Sequence, residues 1–111
     1  MIANGAQVRV FVQVEPCDMR KQINGLSAQV RAAMERDPQS GDLYLFRNRR
    51  GDMLKLLFFD RGGYCLLMKR LECGTFQFPL SEDGETVEIS QQELSWLLAN
   101  AELVRKIERA A

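Results

Sequence analysis

"LYLFRNRRGDMLKLLFFDRGGYCLLMKRLE", residues 43 to 72, decides the fold. It contains three runs rich in apolar and aromatic residues, 43–47, 53–59 and 64–72, joined by the turn-like segments "NRRGD" and "DRGG". Short strands linked by Gly-, Asn- and Asp-containing turns are the pattern of a β-meander. In the middle run both alternating sets are apolar, Met53, Leu57 and Phe59 against Leu54, Leu56 and Phe58. That strand is expected to be central and covered on both faces, with the first helix as one cover.

Upstream, "VRVFVQV" (8–14) alternates Val8, Val10, Val12 and Val14 with Arg9, Phe11 and Gln13, the period of a half-buried strand, and Pro16 ends it. From Asp18, the residues Met19, Ile23, Leu26, Val30 and Ala33 or Met34 recur at three- and four-residue steps. This predicts an amphipathic helix capped by Asp18 and running to about Glu35, with close packing expected at Gly25. "DPQSGD" (37–42) reads as a loop.

Downstream, "TFQFPL" (75–80) and "TVEIS" (86–90) flank "SEDGE", whose Asp83-Gly84 predicts an acidic hairpin, placed at an edge or as an excursion by Pro79. Ser90 and Glu93 match a capping box and open a last helix with Leu94, Leu97, Leu98, Ala101 and Val104 along one side. The fold class expected is therefore α+β: a single domain over residues 1–111, made of an N-terminal strand, a helix, an antiparallel meander, an acidic hairpin and a C-terminal helix.

Composition limits the function. With 46% hydrophobic and 27% charged residues the chain is ordinary globular protein. It shows neither a bilayer-length apolar run nor a signal-peptide pattern at "MIANGAQVRV", which predicts a cytoplasmic protein without membrane contact. Cys17, Cys65 and Cys73 form no C-x-x-C pair and there is no histidine, so neither a metal site nor a cofactor is expected. The phosphate-loop, dinucleotide and nucleophile-elbow motifs are absent, and proton transfer near neutral pH would fall to a shifted carboxylate, lysine or cysteine. A non-enzyme is the reading that follows.

Charge is zero in total but unevenly placed. Residues 1–70 carry twelve Lys/Arg against seven Asp/Glu, and residues 71–111 carry three against eight. Two basic sites stand out. Arg47, Arg49 and Arg50 cluster at the first meander turn with Lys55 nearby and only Asp52 opposing them. Guanidinium forks there suit phosphate oxygens, although a solvated turn that blunts aggregation is an equal reading of the same residues. Arg20 and Lys21 fall in the first turn of the expected helix, where the macrodipole disfavours cations unless an anion is bound or Asp18 absorbs the charge. Lys69 and Arg70 point to opposite strand faces, so one at most joins a given patch.

The series "DMRK" from Asp18, Gly25-Leu26, and Asp37 to Pro79 with its S-G, F-R-x-R-R, K-x-L, K-R-L-E and F-x-x-P elements resembles the TnpB-type small accessory proteins of the insertion sequence 66 family of bacterial mobile elements. Phe59 and Phe78 stand where such proteins often have tryptophan. The resemblance implies a role in DNA transposition beside a separate transposase that supplies the catalytic carboxylates. Two functions follow as expectations. One is a non-catalytic accessory protein contacting DNA phosphates through Arg20, Lys21, Arg47, Arg49, Arg50 and Lys55. The other is an adaptor that binds the transposase or itself, through the acidic segment and the last helix, without DNA.

Overall fold

The computed structural model describes residues 8–79 and 85–99. Their elements are β1 (Val10–Gln13), α1 (Ile23–Gln29) continued by a wider π turn (Val30–Met34), β2 (Leu43–Arg47), β3 (Met53–Asp60), β4 (Gly63–Arg70), β5 (Thr86–Ile89) and α2 (Gln91–Ala99). The strands form one sheet in the order β4-β3-β2-β1-β5. The class is α+β, and the meander β2-β3-β4 is antiparallel as its turns required. β1 and β2 run parallel, so α1 is the crossover of a β-α-β unit.

Both faces of the sheet are covered. Phe11, Tyr44, Phe46 and Leu57 pack with Leu26, Val30 and Met34 of the first helix. Val10, Val12, Leu43, Leu45, Leu54 and Leu56 pack on the other side with Phe76 and with Leu94 and Leu97 of α2. The capping box forms as its residues predict: Glu93 N donates to Ser90 Oγ at 3.0 Å and Ser90 N to Glu93 Oε1 at 2.8 Å.

Several expectations are corrected. β1 is buried on both faces rather than half-buried, because it lies inside the sheet with a cluster on each side. Its one polar side chain, Gln13, is bonded to Glu15 O and accepts from Gln29 Nε2. β3 is indeed covered on both sides, but the central strand is β2, since β1 and β5 add to the far edge. Thr75–Pro79 is irregular and β5 pairs with β1, so no strand from the first arm of the acidic hairpin joins it among the described residues. The turn at 81–84, and Ala101 and Val104, lie outside the described residues.

The first helix begins at Ile23, not at Asp18. Asp18 folds a turn of its own, accepting Arg20 N on Oδ1 at 2.9 Å and Lys21 N on its carbonyl at 3.1 Å. Gln22 is then extended, which ends the turn before the helix starts. Arg20 and Lys21 therefore stand outside the helix, and the dipole penalty assigned to them does not arise. Gly25 is closely packed as expected: a β-carbon there would lie 3.1 Å from Lys21 Cβ.

Candidate functional site

The turn between β2 and β3 is built by Asn48. Its Oδ1 accepts Gly51 N at 2.9 Å and Met53 N at 3.1 Å, and its Nδ2 donates to Asp52 Oδ1 at 2.7 Å. Gly51 N also reaches Asn48 O, and Gly51 itself holds φ +81°, a conformation that suits a residue without a β-carbon. The Asn48 amide holds the Asp52 carboxyl below the usual carboxylate range. Arg49 and Arg50 are left at the two central positions of this turn, both exposed. Neither forms a hydrogen bond or salt bridge among the described residues; Arg50 acts on Asp52 only through space.

Arg47 is different. Its Nε donates to Val14 O at 2.7 Å and its guanidinium lies 5.8 Å from the Phe78 ring, so it braces β2 against the residues after β1. The Asp18–Lys21 turn is fastened to the same end of the sheet. Cys17 N donates to Arg47 O at 2.8 Å. Lys55, on the α1 side of β3, sends Nζ to Met19 O at 2.9 Å and Lys21 O at 2.7 Å.

Lys55 is thus corrected as a surface contact. It is 3% exposed, and the carbonyls it meets are the reason: a buried ammonium requires acceptors, and the turn supplies them. Lys21 is half-buried, with Nζ donating to Gln29 Oε1 at 2.6 Å. Arg20 is nearly fully exposed but forks onto Asp18, with Nη2–Oδ2 at 2.8 Å. That hydrogen bond lowers the Asp18 pKa to about 2.

The six candidates therefore share one end of the sheet in three states. Among the described residues Arg49 and Arg50 have no bonded partner, Arg20 is exposed but paired, and Arg47, Lys21 and Lys55 are held within the protein. The pairing of Arg70 with Met53 brings a further exposed arginine to this end, where Leu71 N donates to Asp52 O. Sequence reading treated Arg70 as marginal; the strand register, once aligned from the "DRGG" turn, would have placed it. Asn48 and Phe76, whose N donates to Gly51 O at 2.8 Å, were missed as turn-builders. Asn before Arg-Arg-Gly was the available signal for the first, and nothing local signalled the second.

Among the described residues no three His, Cys, Asp or Glu side chains group to hold a metal ion, and no helix is long and apolar enough to cross a membrane. The arrangement can offer guanidinium forks to an anionic surface.

Comparison with known proteins gives the family. Residues 8–108 match the family profile described as "IS66 Orf2 like protein". Two proteins of Sinorhizobium fredii are similar. Uncharacterized protein y4jC is 38% identical over 105 residues, covering 95% of this chain and 89% of the relative. Uncharacterized protein y4hO is 37% identical over 99 residues, covering 89% and 85%. No solved structure matches. By its match over nearly its whole length, the chain belongs to the IS66 Orf2-like family, transposition-associated accessory proteins of an insertion sequence rather than a known catalytic family.

Proposed function

We propose that the protein serves transposition by holding DNA phosphates at the basic end of its sheet, without cutting DNA, beside the transposase of the same element. Arg49 and Arg50 are the principal contacts, and Arg20 is a flanking one that exchanges its Asp18 partner for a phosphate. Arg47, Lys21 and Lys55 position the two segments. The observation that carries this reading is the joint hold on the Asp18–Lys21 turn: Cys17 N on Arg47 O and the Lys55 ammonium on two turn carbonyls fix both basic segments to one end. Exposed guanidiniums with no bonded partner among the described residues, on a hairpin turn held by Asn48, suit the sequence-independent positioning that phosphate contacts provide.

The test is DNA retention by the purified chain across a salt series. Arg49→Ala with Arg50→Ala should weaken binding about equally for unrelated sequences. It should also flatten the log-affinity against log-salt slope by roughly one unit per lost contact. A parent that retains no DNA, or a double variant whose slope equals the parent's, would sink the proposal and leave the adaptor reading, binding to the transposase alone, in its place.

A further inference from the structure

The two edges of the sheet differ. β5 is four residues long, and its Glu88 is clasped by Arg9, with Nη2–Oε1 at 2.8 Å. β4 is eight residues long and pairs with β3 without interruption from Gly63 to Arg70. Among the described residues no strand pairs with its other edge, and an edge of that length is a template for another strand unless proline, a bulge or an outward lysine blunts it. β4 has no proline and no bulge, and its lysine is turned aside: Lys69 Nζ donates to Leu98 O. The exposed large apolar side chains among the described residues, Leu67 at 46% and Met68 at 58%, both lie on this strand. They point to opposite faces, so no single helix laid on one face would cover both.

We propose that β4 pairs with β4 of a second copy, antiparallel, to continue the sheet across a two-fold axis. An axis perpendicular to the sheet keeps like faces on the same side, and so sets residues of equal parity opposite one another. Centred on Leu67, it sets Leu67 against Leu67, Met68 against Leu66, Arg70 against Tyr64 and Lys69 against Cys65. Both exposed apolar side chains then meet apolar partners, and each arginine meets an aromatic ring. Centring on Met68 would instead oppose Leu67 to Lys69 and Leu66 to Arg70. A parallel arrangement would stack Lys69 on Lys69 and Arg70 on Arg70. Centring on Leu66 would also give Leu67 and Met68 apolar partners, Cys65 and Tyr64, but would set Lys69 against Gly63 and carry Arg70 past the end of the strand. Only the Leu67-centred register gives both exposed apolar side chains an apolar partner and Arg70 a ring, and that self-complementarity selects a second copy as the occupant.

Sedimentation of the full chain over a dilution series should show a monomer–dimer equilibrium. Leu67→Lys and Leu67→Glu each set like charges together at the axis. Each alone should weaken self-association on the order of a hundredfold. At dilutions where the parent is monomeric the variants should match its circular-dichroism melt, because Leu67 is already 46% exposed in the monomer. An equal mixture of the two should recover the dimer, since opposite charges then meet. Met68→Lys, facing a different residue of the copy, should also weaken the dimer. A parent that stays monomeric at its highest soluble concentration overturns the proposal; slow hydrogen exchange along β4 in that monomer would identify the chain's own residues as the cover. A dimer that survives both Leu67 variants, or a mixture that remains monomeric, overturns it as well.

Discussion

Asn48 commits both polar atoms of its side chain to the turn, so the two arginines beside it are displayed without having to hold the backbone themselves. Arg20 is the contrasting residue: it is exposed too, yet it is engaged by Asp18. A pair this open to solvent contributes little to stability and is readily exchanged for another anion. The carboxylate reports that engagement. The Arg20 side-chain bond is the largest cause of the Asp18 shift from 3.8 to about 2, and the Arg20 backbone N–H is the next. A depressed carboxylate pKa means that the turn's contribution is present above the unfolded value and is lost as pH falls through about 2. A carbon-13 titration of the Asp18 carboxyl should therefore show its midpoint well below that of an ordinary aspartate. Arg20→Gln should move the midpoint upward but only part of the way, since the backbone N–H remains. A parent midpoint at the ordinary value would show that the fork is not formed in solution.

At the scale of elements, Lys55 joins a strand to a turn that precedes a helix. Its stem crosses the α1 side of β3 and its ammonium meets the carbonyls of Met19 and Lys21, with Gln22 Oε1 at 3.5 Å. Lys55→Met keeps the stem and removes the donors, leaving buried acceptors without partners. The expected loss is about 2–4 kcal/mol of unfolding free energy, measured by urea titration. A loss well under 1 kcal/mol would mean that water replaces the ammonium. This contact also marks where the sequence stopped being legible. The meander and the Ser90–Glu93 box were readable because alternation, turn residues and caps act over a few neighbours. Asp18 was not, because the same short carboxylate that caps a helix also closes an Asx turn, and the choice here goes with an extended Gln22 and the hold of Lys55 from 34 residues away. Likewise Arg47 read as a tip residue, and only the parallel pairing of β1 with β2 shows it reaching Val14 O instead.

For the whole molecule, the basic end of the sheet carries one fastened turn on each side. On the α1 side Cys17, Arg47 and Lys55 fasten the Asp18–Lys21 turn. On the α2 side the Asn48–Asp52 turn is fastened by Phe76, 5% exposed in the core with Leu94 and Leu97, whose backbone N–H donates to Gly51 O. Thr75 Cγ2 and Cβ back the same glycine closely enough to meet any added β-carbon. The α2-side core therefore has one member that touches the turn and others that do not. Phe76→Ala and Leu97→Ala should both destabilise the fold, by about 3–5 and 2–5 kcal/mol, because each opens a buried cavity. They should differ locally. In Phe76→Ala the Gly51 amide should exchange with solvent faster than global unfolding accounts for, since the strap across the turn is loosened; in Leu97→Ala its exchange should follow global stability alone. Native-state hydrogen exchange at Gly51, compared with the Leu45 and Leu56 amides inside the sheet, separates the two. Equal behaviour of the variants at Gly51 would show that the turn is held by Asn48, with Phe76 contributing only to the core.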